Sequence, residues 1–144
     1  MTLDEIFEQW SNDARIDRLE LGSAALDIPK LHHKYYRMLS NERLRLKKME
    51  ADQAILMQNK KSWVAGELTS DELKQFGWQQ HLKKILKSEV DEYLKADKDV
   101  IEFTLKMAMQ KEKIEVLDSI IKTITNRSFQ ISNAINFEKF RVGM

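Results

Sequence analysis

The sequence predicts an all-α protein built from long amphipathic helices, with a coiled-coil-like oligomerisation helix at its C-terminal end. Three observations predict it. Four glycines and one proline among 144 residues leave few places to turn, and abundant Leu, Lys, Glu, Ile and Met favour helix over sheet. Apolar residues recur at three- and four-residue spacing along most of the chain. From Val100 onward they settle into heptads.

The elements follow in order. Thr2 and Glu5 have the spacing of a capping box, and Leu3, Ile6, Phe7 and Trp10 follow at helical spacing, so a short helix is expected to fray into Ser11-Asn12-Asp13. Ile16, Leu19 and Leu21 suggest a second short amphipathic piece ending near Gly22. Asp27-Ile28-Pro29 reads as a helix start, because proline is tolerated in the first turn. Nothing breaks that helix until about Ala65, after which Gly66 supplies a left-handed stop. Leu31, Tyr35, Met38, Leu39, Leu46, Met49 and Leu56 share one side of it. Lys30, Lys34, Arg37, Arg45 and Lys48 fall opposite, within an arc of roughly 80° at 100° per residue.

Thr69 and Glu72 form a second capping box, opening a short helix with Leu73 and Phe76 that Gly77 interrupts. Leu82, Ile85, Leu86, Val90, Tyr93 and Leu94 then predict a further amphipathic helix, with Lys83, Lys84 and Lys87 bunched early in it. In the last helix Val100, Met107, Ile114 and Ile121 are seven apart, as are Phe103, Gln110, Leu117, Ile124 and Ile131. Gln110 is the one polar residue in this seam. A second row, Ile101, Leu105, Met109, Val116 and Ile120, lies beside it. Two apolar faces are more than one neighbouring helix covers, which predicts one face folded onto the same chain and one meeting another copy. The seam Val100, Phe103, Met107, Ile114, Leu117, Ile121, Ile124 and Ile131 is the expected assembly surface. The chain thus divides by function into residues 1–95 and 96–144.

Charge is uneven. From Lys30 to Lys61 nine basic residues face three acids, a net +6, whereas the first 29 residues carry −5 and the whole chain only +1. The basic block ends in Lys60-Lys61-Ser62-Trp63 beside the Gly66 turn. Cations spaced along a groove suit phosphates, and a ring face suits an unstacked base. The same stripe fits the solvated face of a long helix, and Trp63 fits a cap on the helix's apolar side. No element looks like a duplex-reading module, so sequence-independent binding of single strands is the favoured nucleic-acid reading.

Other chemistry is not suggested. There is no phosphate-cradling glycine loop, nucleophile elbow, zinc-protease motif or EF-hand pattern. Adjacent His32 and His33 diverge by ~100° on a helix, which does not suit two ligands of one metal. No metal or cofactor is expected, and no enzymatic activity. Zero cysteines exclude disulfides and fit a reducing compartment. The acidic start does not read as a signal peptide, and no apolar run approaches the ~18 residues of a membrane span.

The order of features resembles the UvsY recombination mediators of T-even-type bacteriophages. An acidic start leads to Ile16-Asp17 and Leu19, then Pro29-Lys30-Leu31 and Lys34-Tyr35, the long basic helix and a basic–aromatic–Gly turn. Ala96-Asp97-Lys98-Asp99-Val100 and Arg127-Ser128-Phe129-Gln130-Ile131 follow, closing with Phe140. The resemblance implies a recombination mediator that binds single-stranded DNA and loads a RecA-like phage recombinase onto strands covered by the phage single-strand-binding protein. It also implies rings of about six or seven subunits, working in the cytoplasm of the infected bacterial host. The family's basic–x–basic DNA motif falls on Gln58-Asn59-Lys60, where the first cation is missing. Lys60 and Lys61, with Trp63 and the stripe, are therefore the expected DNA contacts. The competing class is a helical homo-oligomeric assembly or scaffold protein with no nucleic-acid role.

Overall fold

The computed structural model describes all 144 residues as five α-helices and one 3-10 turn. The helices are α1 (Leu3–Asp13), α2 (Leu21–Val64), α3 (Ser70–Phe76), α4 (Val90–Leu94) and α5 (Lys98–Arg141). Two compact units share them. One joins Met1–Leu44 with Gln110–Met144, and the other is Arg45–Met109, so the units do not divide the chain at residue 95.

The N-terminal capping box forms as its spacing predicts. Thr2 Oγ1 accepts from the Glu5 N–H and Glu5 Oε2 from the Thr2 N–H, both at 3.1 Å. α1 does not fray before Asp13. The expected helical piece around Ile16–Gly22 is absent. Asp17 Oδ1 takes the Leu19 N–H at 2.9 Å, a local side-chain turn that competes with helix. Glu20 then accepts from the Ala24 N–H, so α2 begins at Leu21, eight residues before Pro29. Proline lies inside the helix rather than at its start. The carbonyl it deprives of a partner is that of Ala25, an exposed residue, where water can take the bond.

α2 ends with Gly66 at φ 72°, where the Glu67 N–H closes back on Ser62 O at 2.9 Å. Thr69 and Glu72 form the second capping box, and Gly77 at φ 73° ends α3. The helix expected from Leu82 to Leu94 is mostly missing. Residues 78–86 are irregular, a 3-10 turn covers Lys87–Glu89, and only Val90–Leu94 is α-helical. Tertiary contacts hold the two sides of this segment: the Trp63 indole N–H donates to Gln79 O at 2.6 Å, and His81 Nε2 meets the Tyr93 hydroxyl at 2.9 Å.

In the first unit Ile6 of α1, Tyr35 and Leu39 of α2, and Leu117, Ile120 and Ile124 of α5 form one buried cluster. Trp10, Ile28, Leu31, Met38, Ile114, Val116 and Ile121 pack against it. In the second unit Val64, Leu94, Val100 and Met107 are buried. The heptad seam therefore folds onto its own chain: Val100, Met107, Leu117, Ile124 and Ile131 are buried, and Phe103, Ile114 and Ile121 half-buried. That corrects its assignment as the exposed assembly face. The polar seam residue Gln110 is buried too, with its Nε2 donating to Glu42 O at 2.9 Å and Glu42 Oε2 at 2.6 Å. Of the second row, Ile101, Leu105 and Met109 are exposed, whereas Val116 packs against the core and Ile120 is buried in it; Phe129, Phe137 and Phe140 are exposed nearer the C-terminus. No helix is long and apolar enough to cross a membrane.

Candidate nucleic-acid interface

The basic stripe divides between the two units. Lys30, Lys34 and Arg37 belong to the first, on the wall of a groove of about 1080 Å³ that α2 shares with the end of α1 and the turn after it. All three side chains are exposed. Arg15 enters the same groove from the turn, and His33 joins it from α2. Met1, Ile16, Leu31 and Met38 supply apolar lining, while Asp17, Glu20 and Asp27 line it as acids. The groove is thus cationic along part of α2 and acidic near that helix's start.

Asp13, the last residue of α1, organises the cationic part. Its Oδ2 receives Lys34 Nζ at 2.7 Å and the Tyr35 hydroxyl at 2.8 Å. The Arg127 guanidinium donates to Asp13 O at 2.9 Å and lies 5.7 Å from the centroid of Trp10. Burial pushes the Asp13 carboxyl up, but the bonds from Lys34 and Tyr35 outweigh it and hold the group below its ordinary value. Burial, then the Asp13 bond, push the Tyr35 phenol far up. Lys34 is consequently a neutralised member of the stripe, whereas Arg15, Lys30 and Arg37 enter no ion pair. The sequence pattern marks neither Arg15 nor Arg127 as a candidate DNA contact. Arg127 had left a trace, standing seven residues after Ile120 where an apolar residue would be expected.

The second unit holds the other candidates. Arg45, Lys48 and Lys61 are exposed, and Lys61 meets Asp91 at 3.2 Å. Lys60 corrects the expectation of a solvent-facing cation. It is 2% exposed, with Nζ 2.8 Å from Asp99 Oδ2 and 3.2 Å from Asp97 Oδ2. The ammonium also lies 4.4 Å from the centroid of Trp63 and 3.9 Å from that of Trp78. The bond from Lys60 draws the Asp99 carboxyl below its ordinary value. Asp97 Oδ2 further accepts the N–H groups of Asp99 and Val100, capping α5. The Asp97-Lys98-Asp99 run is therefore a helix cap that doubles as the acceptor pair for a buried lysine.

Trp63 sits in an aromatic cluster rather than alone at a turn. Trp78 and His81 approach it at 5.7 and 4.8 Å between centroids, and Phe76 is 4.7 Å from Trp78. One ring face is occupied by Lys60, and the indole N–H by Gln79. No cluster of His, Cys, Asp and Glu here has the grouping of a metal site.

The sequence model of a family described as "Recombination, repair and ssDNA binding protein UvsY" matches residues 9–144. Among curated protein sequences none matches the chain. Among solved structures, a crystal structure of the bacteriophage T4 recombination mediator protein UvsY (lattice type II) superposes with a TM-score of 0.83 at 21% identity, covering 99% of this chain and 98% of that one. A second crystal form of the same phage protein (lattice type IV) gives a TM-score of 0.84 at 19% identity, covering 97% and 99% respectively. At such identities the structures speak for the fold, which is helical throughout and shared over nearly the whole length. The fold and the match over residues 9–144 together place the chain in the UvsY family of recombination, repair and single-stranded-DNA-binding proteins.

Proposed function

We propose that this chain is a recombination mediator that binds single-stranded DNA without sequence preference and promotes loading of a RecA-like recombinase onto strands coated by single-strand-binding protein. The supporting observation is the groove of the first unit, where Arg15, Lys30 and Arg37 are cations without carboxylate partners along one channel. A strand there would exchange its counterions for fixed side chains, an attraction that ignores base identity. Lys34 joins them when a phosphate displaces it from Asp13. Arg45, Lys48 and Lys61 of the second unit extend the set of contacts. Lys60 and Trp63 act behind this surface, fixing the end of α2 that carries Lys61.

The working form is a homo-oligomer of about six or seven copies, each adding a weak site to one linked assembly. The exposed row Ile101, Leu105 and Met109 is the α5 face offered to neighbours. A ring of such grooves holds a strand in one conformation while coat protein leaves and recombinase arrives. Labelled oligo-dT and a duplex of equal length, titrated across a salt series, test the binding step. The reading requires preference for the single strand and a steep loss of affinity with salt. Salt-independent binding, or equal affinity for the duplex, overturns it.

A further inference from the structure

We infer that the outer face of α1 in one copy docks on the irregular segment 82–87 of a second copy. The inference rests on the homo-oligomer reading above and names a contact within it. Leu82 and Leu86 are 87% and 67% exposed in that segment. Lys84 and Lys87 beside them are exposed and enter no ion pair, while Lys83 reaches only the ring of Tyr93, at 5.9 Å. The result is a cationic strap with two uncovered leucines. Such a surface favours a short acidic partner with an apolar centre.

This chain carries one. Ile6 is fully buried and fixes the inner side of α1. At 100° per residue Asp4, Phe7, Glu8 and Ser11 fall within an arc of roughly 100° centred away from Ile6. Asp4, Phe7 and Glu8 are exposed, Phe7 at 48%, and neither Asp4 nor Glu8 has an ion-pair partner. The strap's leucines and lysines are uncovered, as are Phe7 and the acids of α1, and on this inference a second copy supplies the cover for each. Because the two patches differ, the contact is head-to-tail and propagates from copy to copy, as a ring requires. Its charge makes it salt-sensitive, unlike the apolar α5 row.

Sedimentation of the full chain across concentration and salt tests it. Asp4→Lys with Glu8→Lys should weaken association at least tenfold at low salt with unchanged far-UV circular dichroism, and Lys84→Glu with Lys87→Glu should do the same. An equimolar mixture of the two variants should regain association by alternating copies, and a chain carrying all four changes should assemble like the parent. Variants that associate as the parent does overturn the inference and leave the oligomer reading intact. So do a mixture that stays dissociated and strap variants that lose only oligo-dT affinity. A parent that is monomeric at every concentration overturns both.

Discussion

Lys60 holds three stretches of the second unit together: the end of α2, the aromatic segment after α3 and the cap of α5. Removing it leaves Asp97 and Asp99 facing two indole rings. Breaking a buried ion pair usually costs about 3–5 kcal/mol. Asp99 is 41% exposed and keeps some hydration, so Lys60→Ala should destabilise the chain by about 2–3 kcal/mol in urea unfolding. Lys61→Ala should change stability by less than about 0.5 kcal/mol and weaken oligo-dT binding instead. Asp13 is the opposite case, a carboxylate that holds Lys34, a cation of the proposed DNA groove, back. Asp13→Asn should tighten oligo-dT binding and steepen the log–log salt slope by about 0.7, the contribution of one more phosphate contact. Asp13 and Asp99 both titrate below their ordinary value. Their stabilisation is full above the unfolded carboxylate pKa of about 4 and disappears as pH falls through the lower folded values. Acid titration followed by circular dichroism should therefore show stability lost below about pH 4, and the loss should be smaller in Asp13→Asn.

At the scale of elements, the parts written in local spacing were legible. Both capping boxes and the Gly66 and Gly77 stops depend on residues within five of each other, and each formed as its sequence predicts. What the local pattern hid was decided at long range. Leu82 to Leu94 has helical apolar spacing, yet only Val90–Leu94 is α-helical, and the segment before it is tied by long-range contacts of Trp63 with Gln79 and of His81 with Tyr93. Lys60 looked free because its acceptors lie 37 and 39 residues away. The two apolar rows of α5 were visible, but which residues of each face inward depends on Tyr35 and Leu39 of α2, against which Leu117, Ile120 and Ile124 pack, and no heptad count reveals that. Two measurements follow. Leu117→Ala should cost about 2–4 kcal/mol of unfolding stability, as for any fully buried leucine, whereas Leu105→Asp should leave folding intact and weaken association. Pro29→Ala should stabilise the chain by about 1–2 kcal/mol, since an interior helical proline costs about 3 and regains part of that by restricting the unfolded chain.

For the whole molecule, a net charge of +1 says little about binding. The acids gather at the start of the chain and cap or neutralise particular cations, while Arg15, Lys30 and Arg37 remain available in one groove. On the proposed reading that is a weak site per copy. In an oligomer the same three cations recur around the assembly, and linked contacts raise affinity without any new chemistry. The groove could not be read from the stripe alone, because Arg15 lines it from the irregular stretch between α1 and α2, which no helical periodicity places beside Lys30 and Arg37. The most direct measurement is the salt dependence of oligo-dT affinity for the parent and for the Arg15→Ala, Lys30→Ala, Arg37→Ala triple variant at equal assembly mass. Each lost phosphate contact should lower the magnitude of the log–log slope by about 0.7, so the variant should bind more weakly with a slope shallower by about 2 per occupied groove. A triple variant that matches the parent in affinity and slope would contradict the account.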